Sequence, residues 1–264
     1  MLTDDTAREV DLPDSVTRVV SIVPSLTEAV AVSAPGLLVG ATDWCTHPPD
    51  LDVARVRGTK NPDVDAIVAL RPDVVVAAAE ENRGPDLDAL RAAGIAVWVT
   101  DVRTLDDAFG SLERMLAACG LDWPCWLNEA EQVWAEAVPL APRRRALVPI
   151  WRRPWMAVGP DTFTGSILAR LGVDNALDTA GDGLRADPAD RYPRIDLAAL
   201  PEHDLVVLPD EPYRFTADDG PEAFAGVPVA LVSGRHLTWY GPSLAEAPGV
   251  LLAQLASAQV PATG

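Results

Sequence analysis

The chain has 264 residues, 48% of them apolar, with 39 acidic against 21 basic side chains for a formal charge of −18. That is enough apolar material for one large domain or two lobes, and the acidic excess excludes a nucleic-acid partner, whose phosphates need clustered Lys and Arg. Cys45, Cys119 and Cys125 have neither the even count of a disulfide framework nor the CxxC spacing of a zinc site, and no run reaches the roughly 18 apolar residues of a membrane span.

Arg18-Val-Val-Ser-Ile-Val23 reads as a buried strand, and Pro24–Val32 as a helix with Ser25 at the N-cap and Glu28 completing a capping box. Leu38-Val-Gly-Ala-Thr42 is a second strand, and it delivers Asp43-Trp-Cys-Thr-His-Pro-Pro49 into a loop that the prolines keep from becoming helix. Strands at Val74–Val76 and Val97–Val99 each follow a helical segment. Trp123, Trp126, Ala130, Val133, Trp134 and Ala137 keep helical spacing and predict one long amphipathic helix. Beyond Arg143-Arg-Arg145, Ala146-Leu-Val-Pro-Ile-Trp151 predicts the strand that opens a second lobe. Thr164–Gly172 reads as a helix, and Ser243–Ala258 as a terminal one. Strands alternating with helices imply an α/β fold with mostly parallel sheets.

Two distant stretches carry the same order. Asp65-Ala-Ile-Val-Ala-Leu-Arg-Pro-Asp-Val-Val-Val-Ala runs from an apolar helix through a break into a strand, and Asp196-Leu-Ala-Ala-Leu-Pro-Glu-His-Asp-Leu-Val-Val-Leu repeats it. Each is followed by a polar loop with acidic residues, a helix, a glycine and another strand. The echo predicts two related lobes, residues 1–121 and 143–264, joined by a helix over 122–142, with a ligand cleft between them.

No Walker loop, GxGxxG, GxSxG or HExxH occurs, so the sequence offers no catalytic signature. Trp44, Trp151, Trp155, Tyr192, Tyr213, Trp239 and Tyr240 fall at strand ends or in the loops after them, where a parallel sheet lines its ligand crevice. Flat rings there suit a large planar or apolar ligand, although about half of a set like this serves to staple loops to the core. Trp98, Trp123, Trp126 and Trp134 read as packing. The Glu80-Glu81-Asn82-Arg83 loop offers polar recognition, with Arg152 or Arg153 opposite. Two alternatives use other chemistry: direct transition-metal binding through Cys45, His47, His236 and a carboxylate, and an enzyme acting on a tetrapyrrole with Glu81 and His47 as its acid–base pair.

Arg18-Val-Val-Ser-Ile-Val-Pro-Ser-Leu-Thr-Glu, Leu38-Val-Gly-Ala-Thr-Asp-Trp-Cys-Thr-His-Pro-Pro49 and Gly58-Thr-Lys-Asn-Pro-Asp-Val-Asp, followed late in the chain by Tyr192-Pro-Arg-Ile-Asp-Leu and Leu237-Thr-Trp-Tyr-Gly-Pro242, form an ordered set. That set resembles the class III solute-binding proteins of ABC importers, the helical-backbone metal receptor superfamily, and within it the cobalamin-binding branch. The resemblance implies two Rossmann-like lobes on one long helix and a monomer without enzymatic activity or required cofactor. It implies a corrinoid, haem or iron–siderophore ligand in the cleft, with Trp44, Tyr192, Trp239 and Tyr240 at the family's aromatic positions; the sequence reading adds His47, Lys60, Glu80, Glu81, Asn82, Arg83, Trp151, Arg152, Trp155 and Tyr213 as candidate contacts. It also implies docking to a permease through an acidic residue on each lobe. Asp65 fits in the first, whereas Ala198 and Ala199 follow Asp196 in the second. The chain as written shows neither a leader nor a lipobox cysteine. That favours a cytoplasmic corrinoid-binding relative, or an extracytoplasmic protein whose leader has been removed.

Overall fold

Asp73 and Asp204 each end a short connection that turns the chain into a fully buried strand, and around those two strands the chain builds two sheets. The structure is a computed structural model describing residues 2–178 and 191–261. It divides into one unit of Met1–Val102, Asp106–Glu131 and Tyr240–Pro242, and another of Arg103–Leu105, Gln132–Trp239 and Ser243–Gly264. The elements up to the unit boundary are β1 Leu2–Thr3, β2 Glu9–Val10, β3 Val19–Ser21, α1 Pro24–Ser33, β4 Leu38–Ala41, β5 Ala54–Arg55, β6 Arg57–Gly58, β7 Asn61–Pro62, α2 Val64–Ala69, β8 Val74–Ala78, α3 Gly84–Ala92, β9 Val97–Thr100, α4 Leu105–Ala118 and α5 Cys125–Glu136. Then come β10 Arg144–Leu147, β11 Pro149–Arg152, β12 Trp155–Ala157, α6 Phe163–Arg170, β13 Val173–Asn175, β14 Leu205–Pro209, β15 Val229–Val232, α7 Gly234–Thr238 and α8 Ala247–Ala256.

The first unit is built on a five-stranded parallel sheet in the order β5-β4-β3-β8-β9, and the second on a four-stranded one in the order β13-β10-β14-β15. β8 and β14 are buried at all five positions, as strands covered on both faces must be. Val20, Ile22, Ile67, Val75, Leu90 and Val97 form the core on one face of the first sheet. Leu147, Val206, Leu208, Phe215, Phe224 and Val229 form that of the second. Two tryptophans of α5 are engaged through their indole N–H groups: Trp126 Nε1 donates to Ser33 Oγ at 3.0 Å, and Trp134 Nε1 to the Leu244 carbonyl at 3.0 Å.

Several local expectations are corrected. Ser25 is not the N-cap of α1: the helix begins at Pro24, whose fixed φ suits a first helical position, with Val23 before it and no side-chain cap. The strand expected over Ala146–Trp151 is two. Pro149 lacks the N–H that would continue the ladder, so β10 ends at Leu147 and β11 turns away to pair antiparallel with β12. In the second unit the helices echoed from the first shrink to 3-10 turns at Leu197–Ala199 and Pro221–Ala223. The terminal segment is a 3-10 turn at Pro242–Ala245 and then α8, since Pro248 fits only a helix's first turn.

Candidate ligand-binding site

In an open parallel sheet the ligand crevice lies beyond the carboxyl ends of the strands where the order reverses. In the first unit the chain winds outward from β3 through β4 to β5, then returns to β8 on β3's other side, so the reversal falls between β3 and β8. Asn82, four residues past the end of β8, is placed there. Its Oδ1 accepts the Ala78 N–H at 2.9 Å, and its Nδ2 donates to the carbonyls of Ile22 at 3.3 Å and Thr59 at 2.9 Å. The side chain is buried and its amide is engaged within the scaffold. Nearby, Lys60 is exposed, and its ammonium donates to the Glu80 carbonyl at 2.8 Å. Glu80 and Glu81 are half-buried, and Arg83 is exposed and pairs with Asp86 at 3.4 Å.

Trp44 leaves the loop after β4 with 67% of its surface exposed, the largest value for any tryptophan among the described residues. Cys45, its neighbour, is buried. The Cys45 sulfur lies 2.9 Å from Thr27 Oγ1 and 3.1 Å from Thr42 Oγ1, and burial pushes the thiol's pKa up despite those hydrogen bonds. A protonated, engaged thiol is a poor metal ligand. Among the described residues no three His, Cys, Asp or Glu side chains come together to hold a metal ion. His47 Nδ1 is 3.2 Å from Thr46 Oγ1. His236 Nδ1 lies 2.7 Å from Ser233 Oγ, and its Nε2 lies 3.3 Å from Glu246.

In the second unit the order reverses between β10 and β14. The chain leaving β10 forms the β11–β12 hairpin, and the chain leaving β14 carries Tyr213. Trp151 stands exposed on the hairpin, edge-on to Tyr213 with ring centroids 5.7 Å apart at 79°. Trp155 lies deeper, stacked on Phe215 at 5.9 Å and 9° and edge-on to Phe224 at 5.4 Å, packed against the core. Arg152 lies over the Trp155 ring, 5.5 Å from its centroid, and forms ion pairs with both Asp219 and Glu222. Tyr213 Oη donates to Asp219 Oδ2 at 2.6 Å. Glu211 is the second residue of the loop after β14; burial, then the charge of Asp210, raises its carboxyl above the usual range, and a hydrogen bond from Trp239 opposes the shift.

Trp239 and Tyr240 are buried, and Tyr240 Oη lies 3.0 Å from Thr100 Oγ1 in the first unit. Tyr192 is half-buried. Asp65 is exposed in the first turn of α2. The residue that the sequence did not single out is Arg55 in β5. Its Nη1 donates to the carbonyls of Thr42 at 3.0 Å and Cys45 at 2.9 Å, and its Nη2 to that of Leu51 at 3.0 Å. An arginine on a two-residue edge strand carries no sequence signal for such a role.

No family model matches the sequence, and no curated relative matches it. Solved structures do match, and the fold is that of the class III periplasmic solute-binding proteins. One is the periplasmic vitamin B12 binding protein BtuF of Vibrio cholerae, 17% identical over 92% of this chain and 98% of that one, with a TM-score of 0.66. The periplasmic heme-binding protein RhuT from Roseiflexus sp. RS-1 is 18% identical over 91% and 98%, with a TM-score of 0.72. CeuE of Helicobacter pylori, solved with Ni(II) bound, is 14% identical over 96% and 88%, with a TM-score of 0.76. At these identities the likeness establishes the fold.

Proposed function

We propose that the protein is a non-enzymatic solute-binding protein for a corrinoid or another planar metal chelate such as haem. The single observation that carries the reading is Trp44, a largely exposed indole on a loop anchored by its buried neighbours. Leaving most of an indole exposed on a loop gives up burial worth about 2 kcal/mol, and a stacking ligand would recover it. Trp151, exposed and braced by Tyr213, offers a second flat face at the rim of the other sheet. Structures that share the fold belong to proteins named for binding heme or vitamin B12, or were solved with Ni(II) bound, and they agree with this class of ligand. On the same reading the protein acts outside the cytoplasm and delivers its ligand to an ABC permease, with Asp65 as a docking contact. Among the described residues no helix is long and apolar enough to cross a membrane.

Calorimetric titration with cyanocobalamin and with haemin, following tryptophan fluorescence in parallel, tests the proposal. Micromolar or tighter binding of one probe, lost or weakened in Trp44→Ala and Trp151→Ala while both variants stay folded, is the expected result. Absence of heat and of quenching with both probes would overturn it.

A further inference from the structure

A ring exposed on a loop stacks well only if the loop does not wander, because each side chain or loop that must be ordered on binding costs affinity. The chain between β4 and β5 has no regular structure, yet it is tied at three points by one side chain. The Arg55 guanidinium takes the carbonyls of Thr42 and Cys45, which bracket Asp43 and Trp44, and the carbonyl of Leu51 near the far end of the loop. Two more contacts act on the same turn: the Cys45 N–H donates to Thr42 O at 3.1 Å, and the Asp43 N–H to Arg57 O at 2.8 Å. The indole itself rests beside Gly58, where an added Cβ would lie 3.3 Å from Trp44 Nε1.

We propose that Arg55 is the positioning residue of the ligand platform, holding the loop so that Trp44 presents a fixed ring face before any ligand arrives. The inference rests on the reading of Trp44 as a stacking contact. A guanidinium suits the task because its donors are rigidly splayed and always charged. One arm serves the two carbonyls that bracket Asp43 and Trp44 while the other reaches Leu51. A lysine ammonium in its place reaches one side or the other. Arg55 does not touch the ligand in this arrangement; it acts through the backbone that carries the indole.

The test uses the full chain labelled with 5-fluorotryptophan, in which the fluorine resonance missing from Trp44→Phe identifies Trp44. In Arg55→Ala that resonance shifts and broadens in the ligand-free protein, and affinity for cyanocobalamin or haemin falls about tenfold, the cost of ordering one loop-borne side chain. Arg55→Lys gives an intermediate result, and it decides the matter should Arg55→Ala fail to fold. A Trp44 resonance of unchanged position and width in the folded Arg55 variants overturns the inference. Failure of the functional reading looks different: neither probe would then bind the unaltered protein, or Trp44→Ala would bind as well as it does, whatever the resonance does.

Discussion

Arg18 and Asp73 exchange two hydrogen bonds, the Arg18 N–H to Asp73 Oδ2 at 2.9 Å and the Asp73 N–H to the Arg18 carbonyl at 2.8 Å. Arg145 and Asp204 repeat the pair in the second unit at 2.9 Å in both directions. In each case the aspartate stands one residue before the buried strand, β8 or β14, and the arginine at the start of its parallel neighbour, β3 or β10. The two guanidiniums also turn back onto carbonyls of the preceding connection, Arg18 onto Leu70 and Arg145 onto Glu202. The sequence echo at Pro72-Asp73 and His203-Asp204 is therefore a register lock, fixing how two neighbouring strands start together.

The first prediction concerns acid stability. The Thr17 N–H holds the Asp73 carboxyl below its usual range, with burial opposing and the Thr17 hydroxyl, the Arg18 N–H and the Arg18 charge assisting. A group whose folded pKa is depressed stabilises the protein above its unfolded pKa, and that contribution is lost as pH falls through the folded value. Melting temperature followed from neutral pH into the acid range should therefore fall more steeply for the unaltered protein than for Asp73→Asn. The two curves should converge at the acid end, and curves running parallel throughout would contradict the lock's ionic component.

Asn82 yields the second. Replacing it with Ala leaves the Ala78 N–H and the Thr59 and Ile22 carbonyls without their side-chain partner in a buried setting. A loss of about 3 kcal/mol is expected from denaturant midpoints, in line with stranding buried polar groups. Asn82→Asp keeps the acceptor and loses both donors, so it should also destabilise. A loss below about 0.5 kcal/mol, the scale of an ordinary surface substitution, would show that the amide is not what joins the loops after β3 and β8.

How much of this was legible in the sequence follows from the range of the forces involved. The strands β3, β8 and β14 announced themselves because burial on both faces demands unbroken apolar runs, a local signal. The second unit's helices misled because Asp196-Leu-Ala-Ala-Leu resembles the apolar helix after Asp65, while Pro201 and Pro221 confine those segments to single turns. Trp44 stood out by its place after a strand. The internal engagement of Asn82, the ion pairs of Arg152 with residues 67 and 70 positions away and the three-carbonyl grip of Arg55 are products of tertiary contact, and no periodicity encodes them.

A third prediction tests the Arg152 cluster. Burial alone would raise the Glu222 carboxyl, but the N–H groups of Gly220 and of Glu222 itself, then the Arg152 guanidinium, bring it below its ordinary value. In Arg152→Met the Arg152 contribution goes, and a carbon-13 NMR titration should find Glu222 protonating at higher pH than in the unaltered protein. The sign for stability follows: the pair helps above the unfolded pKa, and its help fades as pH drops through the folded one. Because Trp155 is held by Phe215 and Phe224 independently of the cation, its environment should change little. An unmoved Glu222 titration would mean that the ion pair is not populated in solution.

The last prediction separates two glycines that look alike by backbone angle. Gly172 and Gly226 both have left-handed φ, +87° and +84°. Placing Ala at either position costs about 1–2 kcal/mol for the conformation alone. Their surroundings differ. A Cβ at Gly226 would meet nothing within 4 Å, whereas at Gly172 it would fall 2.6 Å from the Leu140 carbonyl oxygen and 2.7 Å from its nitrogen. Those are backbone atoms tied in place, since the Leu140 N–H donates to Leu171 O and the Arg144 N–H to Gly172 O, both at 2.9 Å. Relief therefore requires the chain entering β10 to move. Gly226→Ala should lose only the conformational cost, while Gly172→Ala should lose more than twice as much or fail to fold. Equal losses, measured by chemical denaturation under the same conditions, would mean that the approach of Leu140 to Gly172 is looser than the structure has it.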